Sequence, residues 1–556
     1  MKSRKSGSGA GYGHRRMLVE QLERRSMLAG NVNVFEAGGN LFVRGDNADN
    51  LVLIQQTGDG EYTVTGFDFA DGGFADPPFA AGPTSINGDP NGSVVFSGIT
   101  GDINVDLKKG DDLLGVGNTV EDLAILAEEC GFGFGFGSAS GSTSFPSQVE
   151  PEITGDRFIV PRNLIVNTGD GNDGVFVVAD VRDDAIINTG NGFDAVAIGA
   201  TTTDHEDHSV IGDDLVINTG AQDDFVCIHG LFIQDQLVVT TADGNDEVFA
   251  DGWDARGVTI VTGNGNDLVD LNSFDLDNQL VINTGNGNDG VFVDDFSAGE
   301  GNGPNGQKFA GYVTVVTGNG NDDVELTEFD ANGVTINTGA GNDGTPGANS
   351  PITVSDAEIY TDLNGNGDLD EGEPSGPLTI VTGAGNDLVT VENLDVGNIT
   401  IDTGAGNDGS ASDPITVFDA FIVRSLVMVT GAGNDFASIG EADIGNVTVN
   451  LGAGNDSLAI NGIDVDNNVV IDAGSGNDLV DISNTNVGGT TIILMGAGND
   501  TLNLSNSTSR RTRLFGGPGT DTLVTDALLS NGSFDTDGAG ENDTEIREFE
   551  IFLTFG

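Results

Sequence analysis

Short apolar runs alternate with polar positions along most of this chain, and they return at a fixed spacing. In one turn Val258, Ile260 and Thr262 share a face. Val269 and Leu271 follow on the next run, then Phe274 and Leu276, and Asn278 turns the chain back. Alternation at period two over a few residues predicts half-buried strands. Between the first two runs lies Gly263-Asn264-Gly265-Asn266-Asp267, which returns as Gly285-Asn286-Gly287-Asn288-Asp289, Gly383-Ala384-Gly385-Asn386-Asp387 and Gly431-Ala432-Gly433-Asn434-Asp435. Glycines that accept positive φ predict a sharp corner there.

The corner aspartates are Asp173, Asp194, Asp224, Asp246, Asp267, Asp289, Asp322, Asp343, Asp387, Asp408, Asp435, Asp456, Asp478, Asp500 and Asp521. Successive gaps are 21, 30, 22, 21, 22, 33, 21, 44, 21, 27, 21, 22, 22 and 21 residues. The base period is 21–22, and the longer gaps are insertions. Three short strands per turn, stacked in parallel with right-handed crossovers, predict an all-β chain: a right-handed parallel β-helix. Single turns of such a solenoid cannot bury their own apolar face, so stability comes from stacking.

This pattern divides the chain. Residues 1–30 are a basic, export-like segment. Residues 31–118 hold irregular strands such as Asn40–Arg44 and Glu61–Thr65, expected to cap the open end. Residues 119–160 form an insertion: a short helix from Val120 to Glu129, capped by Asn118 or Thr119, then a low-complexity Gly/Phe/Ser run. Regular turns occupy 161–526, and 527–556 close the chain, with Arg547–Leu553 as a last strand. The insertions at 200–212, 298–311 and 360–377 all fall between the third strand and the returning one. In a solenoid such a face either binds something or simply tolerates length.

Charge changes the picture more than length does. The formal net charge is -68, from 88 acidic and 20 basic residues, and seven of those bases precede residue 26. A body this acidic repels nucleic acid and anionic membranes and calls for cations. No apolar run is long enough for a membrane span. Cys130 and Cys227 are the only cysteines, too few for a disulfide framework, and they read as two isolated thiols.

The segment Leu22-Glu23-Arg24-Arg25-Ser26-Met27-Leu28 resembles the LEPR-XLL segment of planctomycete surface and secreted proteins, with Arg24 in place of Pro and Met27 in place of Leu. That resemblance implies export to the bacterial cell surface or beyond.

The corners carry the candidate chemistry. Stacking places Asp267, Asp289, Asp322, Asp343, Asp387, Asp408, Asp435, Asp456, Asp478, Asp500 and Asp521 in one line at the rung spacing. Charges that close repel by about 1 kcal/mol even in bulk water, so something must offset the line. Calcium suits carboxylates and turn carbonyls. Here the chain resembles the hemolysin-type (RTX) calcium-binding repeat: Gly516-Gly517-Pro518-Gly519-Thr520-Asp521-Thr522-Leu523 matches its motif, and other copies match with Thr at the first position. The resemblance implies a calcium ladder on one edge, since the motif comes once per turn. The alternative is that Asp and Asn cap their own turns and stack without metal.

A second motif is sharper. In Asp362–Glu373, Asp362, Asn364, Asn366, Asp368 (through its carbonyl), Asp370 and Glu373 stand at the ligand positions of an EF-hand loop, with Gly367 at its turn. Pro374 follows at once and no exit helix is evident, which predicts a loop ordered by its ion rather than a sensor. His205-Glu206-Asp207-His208 reads as a solvated loop rather than a zinc site.

These observations together predict a calcium-binding structural or adhesive solenoid, extracellular or at the cell surface, whose partners are calcium and surface glycans or other surface proteins. The alternatives are a lyase-type polysaccharide-degrading β-helix, for which Arg256, Lys308 and Arg424 are scattered bases, and a metal-independent structural β-helix. No nucleophile triad or phosphate-binding loop appears, so no enzyme is expected.

Overall fold

The computed structural model describes residues 30–66, 84–90, 92–130, 157–200, 208–298, 311–344, 351–360, 375–525, 544–549 and 551–554. They are almost entirely strands, with one helix among them. The chain divides into two compact units, residues 1–210 with 227–231, and residues 211–226 with 232–556.

The first unit begins with antiparallel pairing. Asn31–Ala37 pairs with Asn40–Arg44, and Glu61–Gly66 pairs with both Leu51–Gly58 and Ser93–Ser97. Parallel stacking then takes over: Leu41 lies beside Ile103, Ile103 beside Leu164, and Leu164 beside Ala185. Antiparallel pairing thus precedes the parallel stack along the chain. The helix Val120–Glu129 is capped by Thr119, whose hydroxyl accepts from the Asp122 N–H while the Asp122 carboxylate accepts from the Thr119 N–H. That reciprocal pair satisfies two donors that a helix start leaves open. Leu123 of this helix sits where a Cβ on Gly115 would fall, 2.7 Å from its Cδ1. The helix thus packs onto a rung through a gap left by glycine.

Cys130, the residue after the helix, is bonded to Cys227, with Cα atoms 5.8 Å apart. The expectation of two isolated thiols is corrected. The two residues are 97 positions apart, but a stack of short rungs brings distant sequence together, and the inserted helix returns its last residue to the rung surface.

The second unit repeats one rung. Gly257–Val261 pairs in parallel with Gln236–Thr240 on one side and Leu280–Asn283 on the other. Leu268–Leu276 pairs with Glu247–Ala255 and Gly290–Ala298. The second and third expected strands form one chain of residues bent at Ser273, whose φ is 51°. Val258, Ile260, Val269, Leu271, Phe274 and Leu276 are all buried. Burying each such side chain fully contributes about 1.5–3 kcal/mol before entropy is counted. Trp253, Phe274, Phe296 and Phe329 stack face to face inside successive rungs, with centroids 4.5, 5.1 and 4.8 Å apart. The strands Thr544–Arg547 and Ile551–Thr554 continue the parallel stacking on Thr508–Phe515 and Thr522–Thr525.

Candidate functional site: the repeated corner and the acidic bend

The corner glycines have steric work to do. Gly383 has φ 86°, and a Cβ on Gly385 would lie 1.2 Å from the Gly341 carbonyl oxygen of the neighbouring rung. Only glycine permits that approach. Through it, the corner backbone becomes a narrow parallel ladder: Ala340 bridges to Ala384, Ala384 to Ala405, and Ala405 to Ala432. The Gly385 N–H donates to the Ala405 carbonyl, and the Ala405 N–H to the Gly383 carbonyl. The corner carbonyls are therefore engaged between rungs.

The aspartates face inward. Every corner aspartate of the second unit from Asp224 to Asp521 is at most 3% exposed. Each N–H from Asp224 to Asp500 donates to Oδ1 of the next corner aspartate, at 2.8 to 3.1 Å. In six rungs Oδ2 also accepts from the threonine five residues earlier, at 2.6–2.7 Å: Thr241, Thr262, Thr284, Thr317, Thr338 and Thr382. In the first unit Asn50 and Asp112 donate in the same way to Asp112 and Asp173.

The asparagines before them face outward and bond in the opposite sense. From Asn266 to Asn499, each asparagine N–H donates to the side-chain oxygen of the asparagine one rung earlier, beginning at Asn245, at 2.8–2.9 Å. The aspartate side chain reaches back one rung on the inside, and the asparagine side chain reaches forward one rung on the outside. Each pair of rungs is clamped on both faces, which gives the Asn-Asp pair a mechanical reason.

The residues of the expected calcium edge lie inside the rungs. These carboxylates are not presented to solvent; Oδ1 is oriented by an N–H donor, and in the six threonine rungs Oδ2 is oriented by a hydroxyl. In those six rungs both carboxylate oxygens are engaged within the coil. Burial accounts for their chemistry. It pushes Asp289, Asp343 and Asp408 up to about 7 and Asp387 and Asp478 to about 6, with neighbouring aspartates adding to the rise at Asp289, Asp343, Asp408 and Asp478. Towards the chain end the threonine gives way to Leu451, Ala473 and Met495. There Oδ2 of Asp456, Asp478 and Asp500 is buried with no hydrogen-bond partner among the described residues.

A second feature escapes the sequence reading. At the bend between the second and third runs, one residue per rung is left-handed, including Asp356, Asn393, Asp419 and Glu441, with φ from 48° to 53°. An open groove at this bend is lined by Asp356, Glu358, Asp395, Asp419, Glu441 and Asp443, with Phe421 beside them, and by no Lys or Arg. The sequence signal was present as one polar residue per turn between two apolar pairs. Glycine holds the bend in some rungs, as at Gly252 and Gly462, and other residues in the rest, so its left-handed backbone has no single spelling.

The EF-hand-type residues Asp362, Asn364, Asn366, Asp368, Asp370 and Glu373 lie outside the described residues, as do His205, Glu206 and Asp207, residues 1–29 and Lys308. His208 is buried, and its carbonyl accepts from Arg157. Arg256 pairs with Asp235 at 3.8 Å. No helix among the described residues is long and apolar enough to cross a membrane. No protein-family model matches the chain, and no curated protein matches it at a significant level.

Proposed function

We propose that this chain is an exported structural β-solenoid, a scaffold or adhesive rod of the cell exterior rather than an enzyme. One observation carries the reading: the corner aspartates, and the asparagines that precede most of them, bond rung to rung. A repeat spent on its own backbone builds length and leaves no reactive group in register. The Cys130–Cys227 bond supports an oxidising compartment, since cytosolic thiols are kept reduced. The lyase alternative needs a base beside carboxylates in a groove, and the groove at the second bend has only acids and Phe421 among its charged and aromatic lining.

Calcium enters this reading from outside the coil. The carboxylates of the groove at the second bend, and the ligand-type residues Asp362 to Glu373, are the groups available to hold the cations that offset a charge of -68. Calorimetric titration with calcium tests this. We expect few sites, lost in Asp362→Asn/Glu373→Gln or weakened in Asp395→Asn/Asp443→Asn. A stoichiometry near one ion per rung, unaffected by these four substitutions, would overturn it.

A further inference from the structure

Positive charge is scarce on this chain, and in the second unit it is gathered near one end. Of the seven bases in that unit, four fall between residues 510 and 547. Arg510, Arg511 and Arg513 lie within four positions of one strand, Thr508–Phe515, and all three are exposed. The exposed Arg547 lies one rung on, in register with Phe515. The rung before is uncharged opposite them, at Gly488, Gly489, Thr490 and Ile492. Among the described residues of the rung after, the acids are Glu545, in register with Arg513, and Glu548. The patch therefore keeps an excess of positive charge on a strongly acidic body.

We propose that this arginine patch is a docking surface whose partner is the acidic groove at the second bend of another copy of the chain. Charge selects the partner: the groove presents Glu358, Asp395, Asp419, Glu441 and Asp443, and no Lys or Arg. Its chemistry selects arginine. In register across successive rungs, Phe421 stands between Asp395 and Asp443, and it is 42% exposed. A guanidinium stacks on an aromatic face and pairs with carboxylates through a planar fork of N–H donors. Arg511 and Arg513 stand about 7 Å apart along their strand, and the groove carboxylates recur at the rung spacing of about 4.8 Å, so more than one guanidinium can engage at once. Within one chain the two surfaces are held apart. Asp443 and Thr508 are separated by three rung steps, about 14 Å, in a stack of continuous parallel pairing. Two bodies of charge -68 repel at long range, but at about 0.15 M ionic strength charges beyond about 8 Å are screened and the local contact decides. Patch and groove are different surfaces, so the contact is heterologous. Each copy offers its patch to one neighbour and its groove to another, which builds open arrays or rings. The inference holds whether or not the chain binds calcium.

Sedimentation velocity of the full chain across protein concentration tests it, at about 0.15 M NaCl and with a chelator so that no divalent cation competes for the groove. The wild type should pass from monomer to larger species as concentration rises. The patch variant Arg510→Glu/Arg511→Glu/Arg513→Glu and the groove variant Glu441→Lys/Asp443→Lys change exposed positions. Each alone should associate at least about tenfold more weakly than the wild type. Mixed in equal amounts they should pair, because the groove variant keeps an intact patch and the patch variant an intact groove. That complementation separates a docking contact from a loss of folding, and unchanged melting curves check the same point. If the reversed patch melts early, Arg510→Gln/Arg511→Gln/Arg513→Gln, which removes the charge without reversing it, takes its place with the same expectation. A wild type that stays monomeric, variants that assemble as it does, or a mixture that does not pair overturns the proposal.

Discussion

The backbone N–H of Asp387 donates to Oδ1 of Asp408 at 2.9 Å, across 21 residues of sequence, while Asn407 donates its own N–H to Oδ1 of Asn386 at 2.8 Å. One step of the coil is held by two side chains that reach in opposite directions. A hydrogen bond to a carboxylate contributes about 1.5–3 kcal/mol, and a buried N–H left without an acceptor loses about as much. Asp408→Ala should therefore destabilise the second unit by about 2–3 kcal/mol, while Asp408→Asn, which keeps an oxygen in place, should cost less. Denaturant unfolding of the two variants measures the difference; equal losses would mean that the acceptor is not what matters.

Acidity should strengthen the coil. Burial raises the folded-state values of Asp289, Asp343 and Asp408 to about 7 and of Asp387 and Asp478 to about 6, above the ordinary value near 3.9 that an unfolded chain shows. For groups raised on folding, the contribution is fully present below about pH 4 and is lost as pH rises through about 6 to 7. The melting temperature should fall between pH 5 and pH 8. Repulsion among surface carboxylates has the same sign but is screened by salt, so the fall should persist in 0.5 M NaCl, on the order of the ionic strengths that screen within a few ångströms. A flat profile at high salt would assign the effect to the surface.

The covalent link predicts a further loss. Cys130 and Cys227 close a loop of 97 residues, and such a bond typically contributes about 2–4 kcal/mol. Cys130→Ser/Cys227→Ser should lower the stability of the first unit by that amount and leave the second unchanged. Thiol titration of the denatured, unreduced protein should find no free thiol; two would contradict the bond.

The aromatic stack offers a test free of charge effects. Phe296 lies between Phe274 and Phe329, with centroids 5.1 and 4.8 Å away. Phe296→Ala should cost about 3–5 kcal/mol through lost burial and the cavity it leaves. Phe296→Leu, which fills most of that space, should cost less than half as much.

The coil was legible in the sequence because its signals are local and repeated. Val258, Ile260, Val269 and Leu271 alternate as a strand face must, and a spacing of 21–22 residues admits few architectures. The direction of the corner aspartates was not legible. Carboxylates are rarely buried without a partner, so composition alone places Asp267 or Asp435 on the outside. Their partners are backbone N–H groups one rung away, which no residue type reveals. Thr262, five residues before Asp267, was read as an inward position, but its hydroxyl contact needed coordinates. The left-handed backbone at the bend, at Ser273 and Glu441, was not legible because positive φ is expected of glycine, and serine and glutamate hold it here. The cysteine pair was missed because only stacking brings 130 and 227 together.

Backbone amide hydrogen exchange at Asp387, Asp408 and Asp435, with excess calcium and again with a chelator, tests the central claim most directly. If the rungs are clamped by their own aspartates and asparagines, these amides stay protected to the same degree in both conditions. Collapse of their protection on chelation would show that a bound cation, and not the paired ladders, holds the corners together.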